Sequence, residues 1–320
     1  LDSGTAEAQT VDATIDGVAA TNGSITVNNT GGATFNGVIG GDKTVGSLTV
    51  TDGATTLAAD AEFSGNVSVA ASKTLTNNAN LTVGTDLDVA GDFTNSANWS
   101  TTVGGDVTSA GTITNDGTLS LGGASNAATI NNNGTLEIGS GITAGGGTID
   151  FSATPNEEAT VDLSAFNSAT NTVISNGTVE LTGKGKALLS TELEKGESVT
   201  IATAAVTTTD ADFDNDLTVV NALRQVERDD SAGAGVFKYD IGDKNTAAQT
   251  GASLGVSAAN GNKLNQAGFA QIDASSSFAT GNDFEEVGNV VNDALTGQAD
   301  AKQTAEQLGD ATASAGAASQ

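Results

Sequence analysis

The chain has no cysteine, no histidine and no methionine, and only one proline, one tryptophan and one tyrosine in 320 residues. Without cysteine there is no disulfide, no thiolate nucleophile and no cysteine-bound zinc or iron–sulfur cluster. Without histidine, Ser-His-Asp and Cys-His catalysis are excluded and the commonest transition-metal ligand is gone. A missing initiator methionine is expected of a processed chain or a fragment, and the lack of a signal peptide at Leu1 fits its prior removal. Positive charge is scarce: 11 Lys and Arg against 39 Asp and Glu give a formal charge of −28. That balance repels phosphate and offers no basic patch, which argues against nucleic acid as a partner. No segment approaches the roughly 18 continuous apolar residues of a membrane span.

Hydrophobic residues make up 37%, below the roughly 45–50% of an ordinary globular domain. Charged residues are also few, at 16%. What remains is Ala, Thr, Gly, Ser, Asn, Val and Asp, which is not the Pro/Glu/Lys-rich composition of disorder. It suits an extended β structure with a thin core and many turns. The length allows about two ordinary domains, or one elongated β architecture.

Short alternating strands recur along the first half. Leu48-Thr49-Val50, Val67-Ser68-Val69, Leu81-Thr82-Val83 and Leu87-Asp88-Val89 each read apolar, polar, apolar. Such alternation puts the apolar pair on one face and the polar residue on the other. Strands this short make no stable sheet alone, but they do if similar strands stack above and below.

A six-residue word is clearest. It occurs at Asp116–Leu121, Asn133–Ile138, Gly146–Phe151 and Asn176–Leu181, so its spacing is uneven. Its form is turn residue, Gly, Thr, apolar, polar, apolar. The Asn/Asp-Gly pair predicts a corner with positive φ. A weaker Gly-Asp-x-Thr word recurs at Gly41, Gly91 and Gly105. Phe35, Phe63 and Phe93 recur at nearly even spacing, and either stack along an axis or sit separately at strand ends. Corners and strands that recur in type at uneven spacing predict a solenoid whose coils bury their inward residues against their neighbours. Asn and Thr on successive coils are placed to form side-chain hydrogen-bond ladders. A sandwich or barrel is the rival, but it wants longer strands, more aromatics and chain reversals.

The pattern changes near residue 185. Residues 184–244 read as terminal coils or a cap. Asp210, Asp212, Asp214 and Asp216 alternate like the start of a calcium loop, and they are the candidate metal ligands. Asn215 and Asn221 stand where an EF-hand has Gly and Glu, so a solvated acidic turn is the alternative. The only arginines, Arg224 and Arg228, lie among Glu227, Asp229 and Asp230. They read as neutralising those carboxylates, or as a clamp for a carbohydrate carboxylate. Residues 245–320 are Ala/Gly/Ser-rich. There Asn282 and Glu285 resemble a capping box, and Phe284, Val287, Val291 and Leu295 follow helical spacing. A helix is predicted near 283–308, followed by a tail.

The Gly-Thr words at Asp116, Asn133, Gly146 and Asn176, with the Gly/Thr/Asn/Ala composition without cysteine, resemble the passenger regions of bacterial autotransporters. The resemblance implies a secreted right-handed β-helix, and the Asn282–Leu308 stretch looks like the helical linker that leads to an outer-membrane barrel in that family. No barrel strands follow in this sequence, as expected if the barrel was cleaved off or if this is a different surface protein, and no catalytic residue is carried over. The expectation is therefore an all-β parallel solenoid, residues 1–183, with a short α-helical C-terminal segment. It is extracellular or on the bacterial surface, assembles with itself into a filament or layer, needs no cofactor, and uses Ca²⁺ at most. The alternative is a monomeric adhesin that binds glycans or proteins. A third reading is a polysaccharide-degrading β-helix enzyme, which needs a partly buried carboxylate pair in a groove. Sequons at Asn22, Asn28, Asn66, Asn80, Asn98, Asn133 and Asn176 are expected by chance in such a composition.

Overall fold

The structure is a computed structural model that describes residues 6–18, 23–154, 158–166, 172–203, 206–208, 217–232, 236–274, 301–305 and 307–308. It is a parallel β-solenoid with three faces. In one typical coil the chain runs along Ser47–Asp52 on the first face, Ala54–Leu57 on the second and Ala61–Phe63 on the third. It then returns to the first face at Val67–Val69, directly beside Ser47–Asp52. Leu87 lies opposite Val107, Thr101 opposite Leu119 and Leu119 opposite Leu136, so the central coils are short and unequal in length. Later coils are longer, running from Leu136 to Val161 on the third face and from Ile142 to Ile174 on the first.

Each strand is short because every coil must turn three corners. Inward positions form apolar columns that cross the coils. On the second face Leu75, Phe93, Ile113, Ile130, Ile149 and Val179 lie in register and are fully buried. Burying one such side chain contributes about 1.5–3 kcal/mol. This core runs without a break from Val27 to Ile241. Four longer strands, beginning with Val107–Asn115, bend around the corner from the first face to the second, and the two faces share one sheet.

The recurring six-residue word does not occupy one position. The copies at 118–121 and 135–138 stack on the third face, whereas Thr148–Asp150 and Thr178–Glu180 stack on the second. The steps from Asp116 to Asn133 and from Gly146 to Asn176 are whole coils, but the step from Asn133 to Gly146 stops one face short. The phenylalanines behave likewise. Phe35 and Phe93 belong to the second face and Phe63 to the third, each opposite aliphatic residues, so no aromatic stack forms.

The glycines of the word answer a different need from the one predicted. Gly177 does have φ +107°, but Gly117 and Gly134 are not in the left-handed region. A Cβ on Gly134 would lie 2.1 Å from the carbonyl oxygen of Gly117, and one on Gly117 would lie 2.2 Å from that of Trp99. These corners are glycine because backbones of successive coils touch there.

The predicted side-chain ladder forms at the corner between the second and third faces. Asn77, Asn95, Asn115 and Asn132 are fully buried and in register. Each passes an amide hydrogen bond to the next, at 3.1, 2.8 and 2.8 Å. Asn95, Asn115 and Asn132 also donate to the carbonyls of Thr118, Thr135 and Thr160, which lie in third-face strands.

The stack ends differently from how it runs. Phe237–Lys244 pairs antiparallel with Ser198–Ala202 on one side and with Arg224–Arg228 on the other. Two helices follow, α1 at Ala247–Ser253 and α2 at Ala258–Ala274. Thr246 and Gln249 close a capping box on α1; the one expected at Asn282 and Glu285 lies outside the described residues. Gly261 of α2 lets the helices meet, since a Cβ there would lie 2.4 Å from the carbonyl oxygen of Ala247. Leu223, Leu264, Ala301 and Ala305 form a second, small core. Of the helix predicted near 283–308, residues 301–305 and 307–308 are helical, and the rest lies outside the described residues. No helix among the described residues is long and apolar enough to cross a membrane.

Candidate functional site

Asp210, Asp212, Asp214 and Asp216, the candidate calcium ligands, lie outside the described residues. Among the described residues there is no group of three or more Asp or Glu side chains placed to hold a metal ion. Arg224 and Arg228 lie on one strand, where period two puts both on the same side. Arg228 stacks over the rings of Phe237 and Tyr239, at 4.6 and 5.8 Å, and donates to the carbonyl of Val236 at 3.2 Å. The neighbouring carboxylate Asp229 takes a different cation, Lys238, at 2.7 Å. Hydrogen bonds from Lys238 and Ser231 hold Asp229 down at about 2. Lys238 is raised in turn by Asp229 and Asp240.

A carboxylate pair does occur. Ser120, Glu137 and Asp162 are in register on the outer side of the third face. Burial pushes Glu137 above its ordinary value and the Asp162 charge adds to this, while a hydrogen bond with Ser120 opposes them. Asp162 is itself buried and accepts from the Ser164 N–H at 2.8 Å. The pair stands on a sheet face and is not part of the groove described below. Asp150, also buried, accepts from the N–H groups of Ser152 and Thr182 and from the Thr182 hydroxyl. That carboxylate ties two coils together.

Threonines dominate one part of the outside. Thr34, Thr56, Thr76, Thr94 and Thr114 form one register column on the second face. Thr112, Thr129, Thr148 and Thr178 continue a second column that begins with Thr74 and Asp92. Strands in one sheet are about 4.8 Å apart, so these hydroxyl and methyl groups tile a regular plane. Many carboxylates stand at corners instead. Asp16, Asp60, Asp86 and Asp106 each accept from a backbone N–H of the next coil, at 2.9–3.0 Å. Periodicity in the sequence pointed to ladders but not to these threonine columns, because it does not say which face a given threonine joins.

A groove of about 420 Å³ opens where the last third-face strand, Leu217–Val220, meets the Arg224–Arg228 strand and α1. Val219, Val220 and Val226 give it apolar lining, and Arg224, Asn245 and Gln249 give it polar lining. Among the described residues, Glu227 is the one carboxylate that lines it. The sequence had marked Arg224 for a carboxylate clamp. It gave no sign of Asn245 or Gln249, which reach the groove only because α1 packs back on the solenoid.

Comparisons with family models, with curated proteins and with solved structures return no match.

Proposed function

We propose that this chain is a structural protein of the bacterial exterior that associates with copies of itself into a filament or surface layer. The observation that carries this reading is the threonine tiling of the second face, where Thr34, Thr56, Thr76, Thr94 and Thr114 form an uncharged in-register column that gives way to Asn131, Asp150 and Glu180 only in the later coils. Two such columns pack laterally without stripping water from ions, which is the costly step in burying charged surface. The corner carboxylates Asp16, Asp60, Asp86 and Asp106 are left to meet those of a neighbour. At −28 the copies repel one another, and a divalent cation shared between corner carboxylates offsets that repulsion. Calcium is therefore the expected partner ion, with the Asp210–Asp216 stretch its sequence-named ligand set.

The test is electron microscopy of the purified chain with and without millimolar calcium. Filaments or sheets are expected, and the Thr76→Lys/Thr94→Lys double variant should remain as single rods with an unchanged circular dichroism spectrum. Single rods of the unmodified chain in both conditions would refute assembly.

A second reading is a monomeric surface protein that binds glycans in the manner of an adhesin. The groove at the cap favours it, since it combines apolar and amide lining with one guanidinium. Catalysis has less support. Among the described residues, the carboxylate pair with a raised member lies on a sheet face away from the groove, and the groove is lined by a single carboxylate.

A further inference from the structure

We infer that the corner carrying Trp99 is a binding site for a neutral, β-linked glycan, with the indole as its stacking platform. Trp99 is the only tryptophan. It is 39% exposed and belongs to neither hydrophobic core. Its corner differs from those beside it. Asn77, Asn95, Asn115 and Asn132 are in register before the corner, and Leu81, Thr101, Leu119 and Leu136 are in register after it. Residues 78–80, 116–118 and 133–135 make the turn in three residues, whereas residues 96–100 take five. With both ends held in register, the two extra residues must bulge outward, and Trp99 sits on that bulge.

The bulge is strained and firmly held. Asn98 has φ +70°, a left-handed conformation that is unfavourable for any residue but glycine, though less so for asparagine than for most. The Trp99 N–H donates to the Ser96 carbonyl at 3.2 Å. The Trp99 carbonyl accepts from the Thr118 N–H at 2.9 Å and from the Asn95 amide at 3.3 Å. A strained corner that fixes a large exposed aromatic adds nothing to either core, and strain kept without a packing reason points to function. A backbone fixed beneath the indole also leaves little order to be gained on binding.

The flanks are polar and already oriented. On the preceding coil, the side-chain oxygens of the exposed Asn78 and Asn80 accept from the hydroxyls of Ser96 and Ser100, at 2.5 and 2.9 Å. That leaves their NH₂ groups as donors. On the following coil, one oxygen of the exposed Asp116 accepts from the Asn133 amide at 2.8 Å. That leaves the other oxygen as an acceptor. Strands lie about 4.8 Å apart, so donors, indole and acceptor follow one another over about 10 Å, comparable with the length of a disaccharide. Sugar hydroxyls both donate and accept, and the flat C–H face of a pyranose with equatorial substituents stacks on an indole. A protein partner would want its aromatic anchor ringed by a well-packed, water-excluding surface, whereas this surround is amide, hydroxyl and carboxylate. The ligand is neutral because Asp116 and the formal charge of −28 repel an acidic glycan. This site rests on the glycan-binding reading and not on self-assembly, because the corner lies within one copy.

The experiment titrates the purified chain with the tetramers of β-1,4-linked glucose and of β-1,4-linked N-acetylglucosamine, followed by Trp99 emission and by calorimetry. With one tryptophan in the chain, the emission reports on this corner alone. A saturable blue shift is expected with at least one of the two. Trp99→Ala should weaken calorimetric binding by about tenfold or more, with partial recovery in Trp99→Phe. The melting temperature should not change, because the side chain lies outside both cores. Asn80→Asp keeps the oxygen that accepts from Ser100 but replaces the donor with a negative charge, and should also weaken binding. Binding undiminished in Trp99→Ala would overturn this site and leave the glycan reading standing. No calorimetric binding of either tetramer would overturn both. Filaments lost in Trp99→Ala, with no response to sugar in the unmodified chain, would place Trp99 at a contact between copies and overturn the glycan assignment.

Discussion

Asn115 is the most direct place to test how the coils are held together. Its side chain is fully buried and makes three hydrogen bonds of 2.8 Å. It accepts from Asn95, donates to the Asn132 side-chain oxygen and donates to the Thr135 carbonyl. Replacing it with alanine removes all three. Asn95 keeps its bonds to the carbonyls of Trp99 and Thr118, so its NH₂ group stays satisfied. The Asn132 and Thr135 oxygens lose a donor, and a small cavity opens. Each bond contributes about 1 kcal/mol net, and a stranded buried acceptor costs about 1–3 kcal/mol. Asn115→Ala should therefore destabilise the chain by about 3–5 kcal/mol, read from urea unfolding. Because solenoid stability is a sum of neighbouring coil contacts, amide exchange should quicken first at the flanking coils. Asn115→Asp goes further: at neutral pH its carboxylate faces two acceptor oxygens. Its folded pKa must lie above the unfolded one, so its stability should recover as pH falls and protonation restores a donor. A loss below about 1 kcal/mol in the alanine variant, or an aspartate variant insensitive to acid, would refute a ladder that carries energy.

Gly134→Ala should cost about 1–3 kcal/mol from overpacking, because its Cβ would fall 2.1 Å from the Gly117 carbonyl oxygen; a neutral effect in thermal melting would show that the coils spread easily. Glu137 is raised above its ordinary 4.5 by burial, with Asp162 adding to it. A raised folded pKa means that stability is fully present below 4.5 and is lost as pH rises through the folded value. Glu137→Gln should then raise the melting temperature at pH 7 and flatten its fall with rising pH, and an unchanged profile would contradict the pair. Tyr239 is the only tyrosine, so its phenolate absorbance titrates without overlap. Burial sets its midpoint above 10 and Arg228 pulls the other way. Arg228→Gln should move it higher still while weakening the cap by about 1–2 kcal/mol; a midpoint at or below 10 in the unmodified chain would count against the buried placement.

The solenoid was legible because its signals are local. Leu48-Thr49-Val50 and its relatives alternate as half-buried strands must, and Gly-rich corners separate them. The stacking partners were not legible. Coils of unequal length drift against one another, so equal words fell on different faces and evenly spaced phenylalanines did not meet. The helices at Ala247–Ser253 and Ala258–Ala274 were missed because their faces are largely alanine, glycine and asparagine, which carry little hydrophobic periodicity. What marks them is contact, with Gly261 against Ala247 and Leu264 against the small second core. The capping box at Thr246 and Gln249 was readable and went unread, since no apolar run follows it.

By itself the sequence determined the chemistry that is absent and the architecture that is possible. With no cysteine or histidine and few apolar residues, a thin β stack was the structure these side chains could support. Local alternation and turn residues fix strand and corner because they act through bonds and neighbours a few residues apart. Tertiary structure alone decided which residues share a column. It selected four asparagines out of many for the buried ladder, lined up threonines along one face, set Asp16, Asp60, Asp86 and Asp106 at corners, and brought Arg224 beside Asn245 and Gln249. Those groupings depend on the summed length of every intervening turn and on how the cap folds back, and no short stretch of chain encodes either.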